Sequence, residues 1–289
     1  MKVFYLFIFL FLSVNIYSTK RALLIGVGNY PKEAGWDQIS SVNDLNLLSP
    51  ILVQKGFEVK ILENESATKK GIISSLIQLI RKSKTGDQVI IHFSCHGQQM
   101  EDSDGDEPDG LDESMIPYDA RRFYIKSKYT GQNHLKDDEL NIYLTKLRIK
   151  LGNTGSLFVS LDACHSGDGT RDFDFNNDDE IYFGNERGVS DIFSSNPHLA
   201  RTKGSKERNF VSSIKNASPM YVLSACAPDQ RSFEYKDKVT RKSYGFLSYL
   251  LSIIMKDCND ADFRDWLNDI NHVHFVLMKY QHPQIQVYE

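Results

Sequence analysis

Two short segments carry residue types able to do nucleophilic chemistry: Ser94-Cys95-His96-Gly97 and Asp162-Ala163-Cys164-His165-Ser166-Gly167. A thiol attacks a carbonyl carbon only as its thiolate, and an imidazole within reach can take the proton. Cys164 lies in a run of small residues that lets a substrate approach the backbone. It reads as the nucleophile and His96 as its general base. Gly97 has no side chain, so its N–H and that of Cys164 can together hold the oxyanion of a tetrahedral intermediate. His165 adjoins Cys164, but neighbouring side chains on a turn diverge, which favours His96. Cys95, Cys226 and Cys258 read as small core hydrophobes. His92, His272, His274 and His282 read as non-catalytic, His92 because it alternates with inward positions of its strand. No close-spaced cysteine pair suggests a zinc site, and thiol chemistry of this kind requires no cofactor.

The elements that position these residues alternate between strand and helix. Ala22–Val27 is a continuous apolar run, as a buried parallel strand should be. A helix over Val42–Leu52, a strand over Phe57–Leu62 and a helix capped by Thr68 follow, the last with Ile72, Leu76, Leu79 and Ile80 on one face. Strands at Val89–Phe93 and Leu157–Leu161 end just before the two motifs, and Asp137 opens a helix between them with an acidic first turn. Met220–Leu223 is a fifth strand, followed by amphipathic helices at Phe246–Met255 and Phe263–Met278. Such alternation predicts an α/β fold with a mostly parallel sheet covered by helices on both faces. Ligands bind outside the carboxyl ends of such strands, and adjacent strands lie about 4.8 Å apart. His96 and Cys164 can therefore meet if their strands are neighbours. Residues 168–219 show no sustained apolar periodicity and read as a long polar connection, well beyond the usual length of about 4–6 residues.

The two motifs resemble the paired signatures of the caspase-like clan, and of metacaspases in particular. Ala22–Gly28, Asn43-Asp44, Asp109–Asp119, Ser224-Ala225-Cys226 and His282-Pro283-Gln284 are similar to that family in order and approximate spacing. The resemblance covers nearly all of residues 19–289 and implies one peptidase domain, a caspase-like three-layer sandwich. Asp162 stands where caspases carry Gln, and the His-to-Cys separation exceeds the caspase spacing of roughly 50 residues. Both departures point towards metacaspases. A carboxylate beside the nucleophile favours Lys or Arg in the substrate rather than Asp. The resemblance assigns the primary specificity pocket to Asp162, with Asp44 and Ser94 as further lining. Without it, Asp44 reads as a helix-terminus or surface carboxylate. The implied activity is hydrolysis of peptide bonds after Lys or Arg, so the implied partners are proteins or peptides with basic residues at the cut. The rival reading is a catalytically silent caspase-fold module that binds proteins or calcium.

The acidic stretch Asp102–Glu113 has carboxylates at positions 1, 3, 5 and 12 of an EF-hand loop but lacks Gly at position 6. Two readings stand for it, a solvated loop with a helix cap and a cation site. The family resemblance implies Ca2+ as an activator, held by Asp112, Asp137 and Asp138 with a fourth ligand at Asp172. A net charge of −4 with no Lys/Arg stripe excludes nucleic acid as an expected partner. Lys2 precedes an apolar run from Val3 to Val14 that ends in small and polar residues at Ser18. Residues 1–18 thus read as a signal peptide, too short to span a membrane comfortably. This predicts an exported protein (secreted, periplasmic or lumenal) with no stable membrane span after cleavage; a buried first strand or an uncleaved anchor are the other readings. Self-processing is expected within residues 168–219, which offer Arg187, Arg201, Lys203, Lys206 and Arg208; the flexible cluster Arg201–Arg208 is the favoured place.

Overall fold

The computed structural model describes residues 18–102, 105, 110–164, 183–189, 191–196, 199, 214–227, 230–258, 262–273 and 281–289. The expected signal peptide, His165, Asp172 and the Arg201–Arg208 cluster lie outside these residues, apart from Ser18. No helix among the described residues is long and apolar enough to cross a membrane.

In chain order the elements are β1 (Lys20–Gly26), α1 (Ser41–Gln54), β2 (Phe57–Glu63), α2 (Lys69–Lys82), β3 (Gln88–Ser94), β4 (Gly97–Glu101), β5 (Leu111–Met115) and β6 (Leu135–Lys136). They continue with α3 (Asp137–Leu151), β7 (Ser156–Asp162), β8 (Phe183–Glu186), β9 (Met220–Ser224), β10 (Phe233–Lys236), β11 (Ser243–Gly245), α4 (Phe246–Asp257), α5 (Phe263–Val273) and β12 (Gln284–Tyr288). Six strands form the central sheet in the order β12-β9-β7-β3-β1-β2. Neighbours are parallel except β12, which runs antiparallel to β9.

Side chains on a strand alternate between faces, and both faces here are apolar. Leu23, Ile25, Val89 and Ile91 pack with Leu76, Leu144 and Leu147 of α2 and α3. Ala22, Leu24, Ile90 and Phe158 pack with Leu45, Leu48, Leu250 and Trp266 of α1, α4 and α5. The result is the expected three-layer α/β sandwich. Thr68 caps α2 as expected, its Oγ1 accepting from Gly71 N at 3.1 Å.

Two small antiparallel sheets stand at the carboxyl end of the large one, β4-β5-β6 and β11-β10-β8. One strand of the second sheet falls in the long polar stretch 168–219. β8 lies inside that stretch and pairs with β10. Periodicity could not reveal it, because a four-residue edge strand is too short to show a pattern. The last amphipathic helix is described only to Val273.

Candidate active site

β3 and β7 are adjacent and parallel, with Ser94 opposite Asp162. His96 and Cys164 each follow two residues beyond those paired ends, so one register brings both motifs to the same edge of the sheet. Both residues are buried.

The His96 ring is held across its faces and through Nε2. Trp36 stacks on it with centroids 5.3 Å apart, Tyr30 lies at 5.4 Å, and Tyr30 Oη accepts the His96 backbone N–H at 3.1 Å. His96 Nε2 lies 2.9 Å from the Asp37 carbonyl. A carbonyl only accepts, so Nε2 carries the hydrogen and Nδ1 presents its lone pair. That Nδ1 is buried with no hydrogen-bond partner among the described residues. Burial lowers the imidazole pKa to about 4, against the opposing pull of the Asp37 carbonyl. The ring is therefore neutral at physiological pH, in the form that can take a proton. Trp36, Tyr30 and Asp37 were not legible as site residues; only the fold carries the β1–α1 connection over the ring.

Cys164 Sγ donates to the Gln230 carbonyl at 3.1 Å, an interaction that only the protonated sulfur makes. Cys226 Sγ lies 3.6 Å from Cys164 Sγ. Cys226 is only half-buried, so it is not the core hydrophobe its type suggested; it flanks Cys164 from the end of β9. Cys95 is buried as expected, and Cys258, partly exposed, donates to Asp269 Oδ2 at 2.7 Å.

The predicted pocket residues Asp44, Ser94 and Asp162 are brought together, all fully buried, around the guanidinium of Arg187. Arg187 Nη1 lies 2.8 Å from Asp44 Oδ2, 2.6 Å from Ser94 Oγ and 3.8 Å from Asp162 Oδ2. Asp44 thus lies closer to this guanidinium than Asp162 does. Asp162 Oδ2 is turned instead to Ser248, accepting from its N–H at 2.9 Å and its Oγ at 2.5 Å. Ser248 Oγ in turn meets His92 Nε2 at 3.3 Å, while His92 Nδ1 meets Ser160 Oγ at 3.1 Å. His92 is thus structural, as read, and burial lowers its pKa to about 4. Asp44 is held by Gly245 N–H at 2.8 Å and Ser94 Oγ at 2.7 Å. Burial pushes the Asp44 pKa up to about 6, with Arg187 pulling it down and Asp162 pushing it up. For Arg187, burial disfavours the charge, yet the surrounding carboxylates raise its pKa above the usual arginine range.

Glu234 completes the pocket and was missed. Its Oε1 lies 3.2 Å from Arg187 Nη2 and accepts the Ser40 N–H at 2.5 Å. Nothing in a lone Glu on a short strand marks it. Gly245 forms the floor, and a Cβ there would lie 2.6 Å from the Arg187 guanidinium carbon.

The Arg187 carbonyl lies where Gly97 and Cys164 converge. It accepts from Cys164 N–H at 2.9 Å and from Gly97 N–H at 3.2 Å. These are the two donors expected from sequence to hold an oxyanion.

Farther out, Asp112 on β5 and Asp137 and Asp138 in the first turn of α3 each place a carboxylate oxygen within 4.8 Å of the others. Asp112 is buried; its Oδ2 pairs with Lys136, and its Oδ1 has no hydrogen-bond partner among the described residues. Burial raises the Asp112 pKa and Lys136 lowers it. Hard oxygen donors in this number suit Ca2+ better than a softer metal. The buried orphan oxygen would offer such an ion a ligand shielded from bulk solvent.

The caspase-domain family model matches residues 19–288. Among curated proteins, Metacaspase-2 of Arabidopsis thaliana is 30% identical over 163 residues, 53% of this chain and 35% of that protein. Metacaspase-3 of the same plant is 26% identical over 236 residues, 70% of this chain and 61% of that protein. The chain thus spans from about a third to three fifths of the length of these relatives. A crystal structure of a protein from Geobacter sulfurreducens shares the fold, with a TM-score of 0.63 at 20% identity and 93% of each chain covered.

Proposed function

The chain belongs to the caspase-domain family, and from that premise we propose that it is a cysteine endopeptidase that cuts after Arg or Lys. The observation that carries the specificity is the seat of Arg187. A guanidinium already fits between Asp44, Ser94 and Glu234 while its own carbonyl meets the Gly97 and Cys164 N–H groups. A substrate arginine bound in the same way presents its carbonyl carbon to Cys164.

The chemistry follows from the donors in place. Cys164 gives its proton to His96 Nδ1, whose tautomer is fixed through Nε2 by the Asp37 carbonyl. The thiolate adds to the carbonyl, and Gly97 and Cys164 N–H groups stabilise the oxyanion. His96 then protonates the leaving amine, and water, activated by the same ring, hydrolyses the thioester. Ca2+ belongs to this reading as an activator bound at Asp112, Asp137 and Asp138, remote from the reacting atoms. So does export through the N-terminal segment.

Fluorogenic peptide amides with Arg, Lys or Asp at the cut test the reading. Arg and Lys peptides should be cut and Asp peptides left intact. Cys164→Ala should abolish turnover, and His96→Ala should lower it by roughly 10²–10⁴-fold, the usual worth of a positioned base. Efficient cleavage after Asp would refute the pocket assignment.

A further inference from the structure

The edge of β10 recognises more than the arginine in the acidic pocket. β8 adds antiparallel to that edge, with Glu186 opposite Phe233, and Arg187 N–H donates to the Ser232 carbonyl at 2.9 Å. Strand addition is a general mode by which extended peptides are recognised: the main chain supplies affinity and alternate side chains supply selectivity. Successive side chains on a strand point to opposite faces. Arg187 enters the buried pocket, whereas Glu186, one residue before it, faces the half-exposed Arg231. Arg231 stands two residues before Phe233, which makes it the diagonal neighbour of Glu186. Diagonal neighbours in an antiparallel pair lie about 7–8 Å apart, within reach of a long side chain. Arg231 Nη1 accordingly meets Glu186 Oε1 at 2.5 Å, with the two side chains 30% and 39% exposed. Asn185 Nδ2 donates to the Gln38 carbonyl at 2.9 Å on one side, and the Arg187 carbonyl accepts from Cys164 and Gly97 on the other, so the register of the strand is fixed at both ends.

The charge around the site gives this pair its meaning. Asp44, Asp162 and Glu234 are buried beside the guanidinium one residue further on. Their field attracts a second cation to the neighbouring position and repels a carboxylate there, unless a positive group stands between. Arg231 is such a group. We propose that Arg231 is a specificity-determining residue, and that the preferred substrates are peptides with an acidic residue immediately before the Arg or Lys at the cut. The proposal rests on the peptidase reading and names the substrate class within it. A substrate strand laid on β10 in the manner of β8 sets the carboxylate of its second residue against Arg231 Nη1 while its basic residue enters the pocket. Glu suits the diagonal reach better than Asp, which is one methylene shorter. A basic residue at that position meets Arg231 as a like charge, so dibasic peptides are disfavoured although the pocket itself is acidic. A pair this exposed favours Glu over Gln by about fivefold in kcat/KM. Like-charge repulsion of similar size brings the preference for Glu over Lys to about 25-fold.

Peptide amides ending in Glu-Arg, Gln-Arg and Lys-Arg, otherwise identical, are mixed in pairs with full-length protein in millimolar calcium, and their consumption is followed by mass spectrometry. Peptides in one tube compete for the same enzyme, so the ratio of their rates is the ratio of their kcat/KM values whatever fraction of the sites is free. Wild type, and Arg187→Ala, in which the protein's own arginine does not compete, should both prefer Glu-Arg by the factors above. In each background Arg231→Gln should bring the ratio of Glu-Arg to Lys-Arg cleavage to about one. Arg231→Glu should invert the ratio in favour of Lys-Arg, an outcome that misfolding cannot produce. An unchanged ratio in Arg231→Glu overturns the proposal, as does a wild type that prefers Lys-Arg; in both cases cleavage after Arg leaves the peptidase reading standing. If no peptide is cut in either background, the peptidase reading itself fails and the proposal falls with it.

Discussion

Replacing Asp44 by Asn should damage recognition of a basic residue more than replacing Asp162, although Asp162 adjoins the nucleophile motif. The guanidinium nitrogen lies 2.8 Å from Asp44 Oδ2 and 3.8 Å from Asp162 Oδ2. At an effective dielectric of about 20, unit charges at these separations interact by about 6 and about 4.4 kcal/mol. The difference of about 1.5 kcal/mol is about tenfold in a rate ratio. Asp44 also makes the charge-assisted contact directly, and cutting one member of such a buried pair costs about 2–5 kcal/mol, or roughly 30- to 5,000-fold in kcat/KM. Asn preserves the oxygen that accepts Gly245 N–H at 2.8 Å, so the loss reports charge rather than collapse. The assay is kcat/KM on an Arg peptide amide in an Arg187→Ala background, where the protein's own arginine does not compete. Asp162→Asn in the same background should lose about tenfold less than Asp44→Asn. An Asp44→Asn enzyme within threefold of its parent, or one less affected than Asp162→Asn, would refute this account of the pocket.

The pH dependence should carry the same signature. With the Asp44 pKa raised to about 6 by burial and His96 lowered to about 4, acid should silence the pocket before the base. In the Arg187→Ala background kcat/KM for Arg peptides should fall below a pH of about 6 or somewhat higher, since the attraction of Arg187 that lowers the Asp44 pKa is gone; Asp44→Asn should move the limb below pH 5, and an unmoved limb would assign it elsewhere. Millimolar Ca2+ should raise turnover, and Asp137→Ala/Asp138→Ala should blunt the response; full wild-type activity in excess chelator would leave these carboxylates as a helix terminus and a pairing partner for Lys136.

Sequence alone determined the layers of the fold and the two motifs that meet at its edge. The apolar run at β1 and the largely apolar runs at β3 and β7, broken by His92 and Ser160, read as strands buried on both faces, and the 3.6-residue patterns of α2 and α4 read as the helices that cover them. Cys164 and His96 stood out in the sequence because a thiol and an imidazole each follow a strand end, where an α/β sheet places its ligands, and Gly97 because it directly follows His96. Tertiary structure alone decided the rest, because the deciding quantities are distances across the chain. The β3–β7 register puts Ser94 opposite Asp162, and the approach of β10 and β11 adds Glu234 and Gly245 from positions far along the sequence. The tautomer of His96 depends on a carbonyl at Asp37, and carbonyl positions carry no side-chain signal. That Asp44 lies one ångström closer to the Arg187 guanidinium than Asp162 depends on packing and on where Ser248 donates. Most of all, Arg187 looked like one basic residue among several in a polar stretch. Only burial against three carboxylates, with its carbonyl on two converging N–H groups, distinguishes it, and an edge strand of four residues has no periodicity from which that placement could be read.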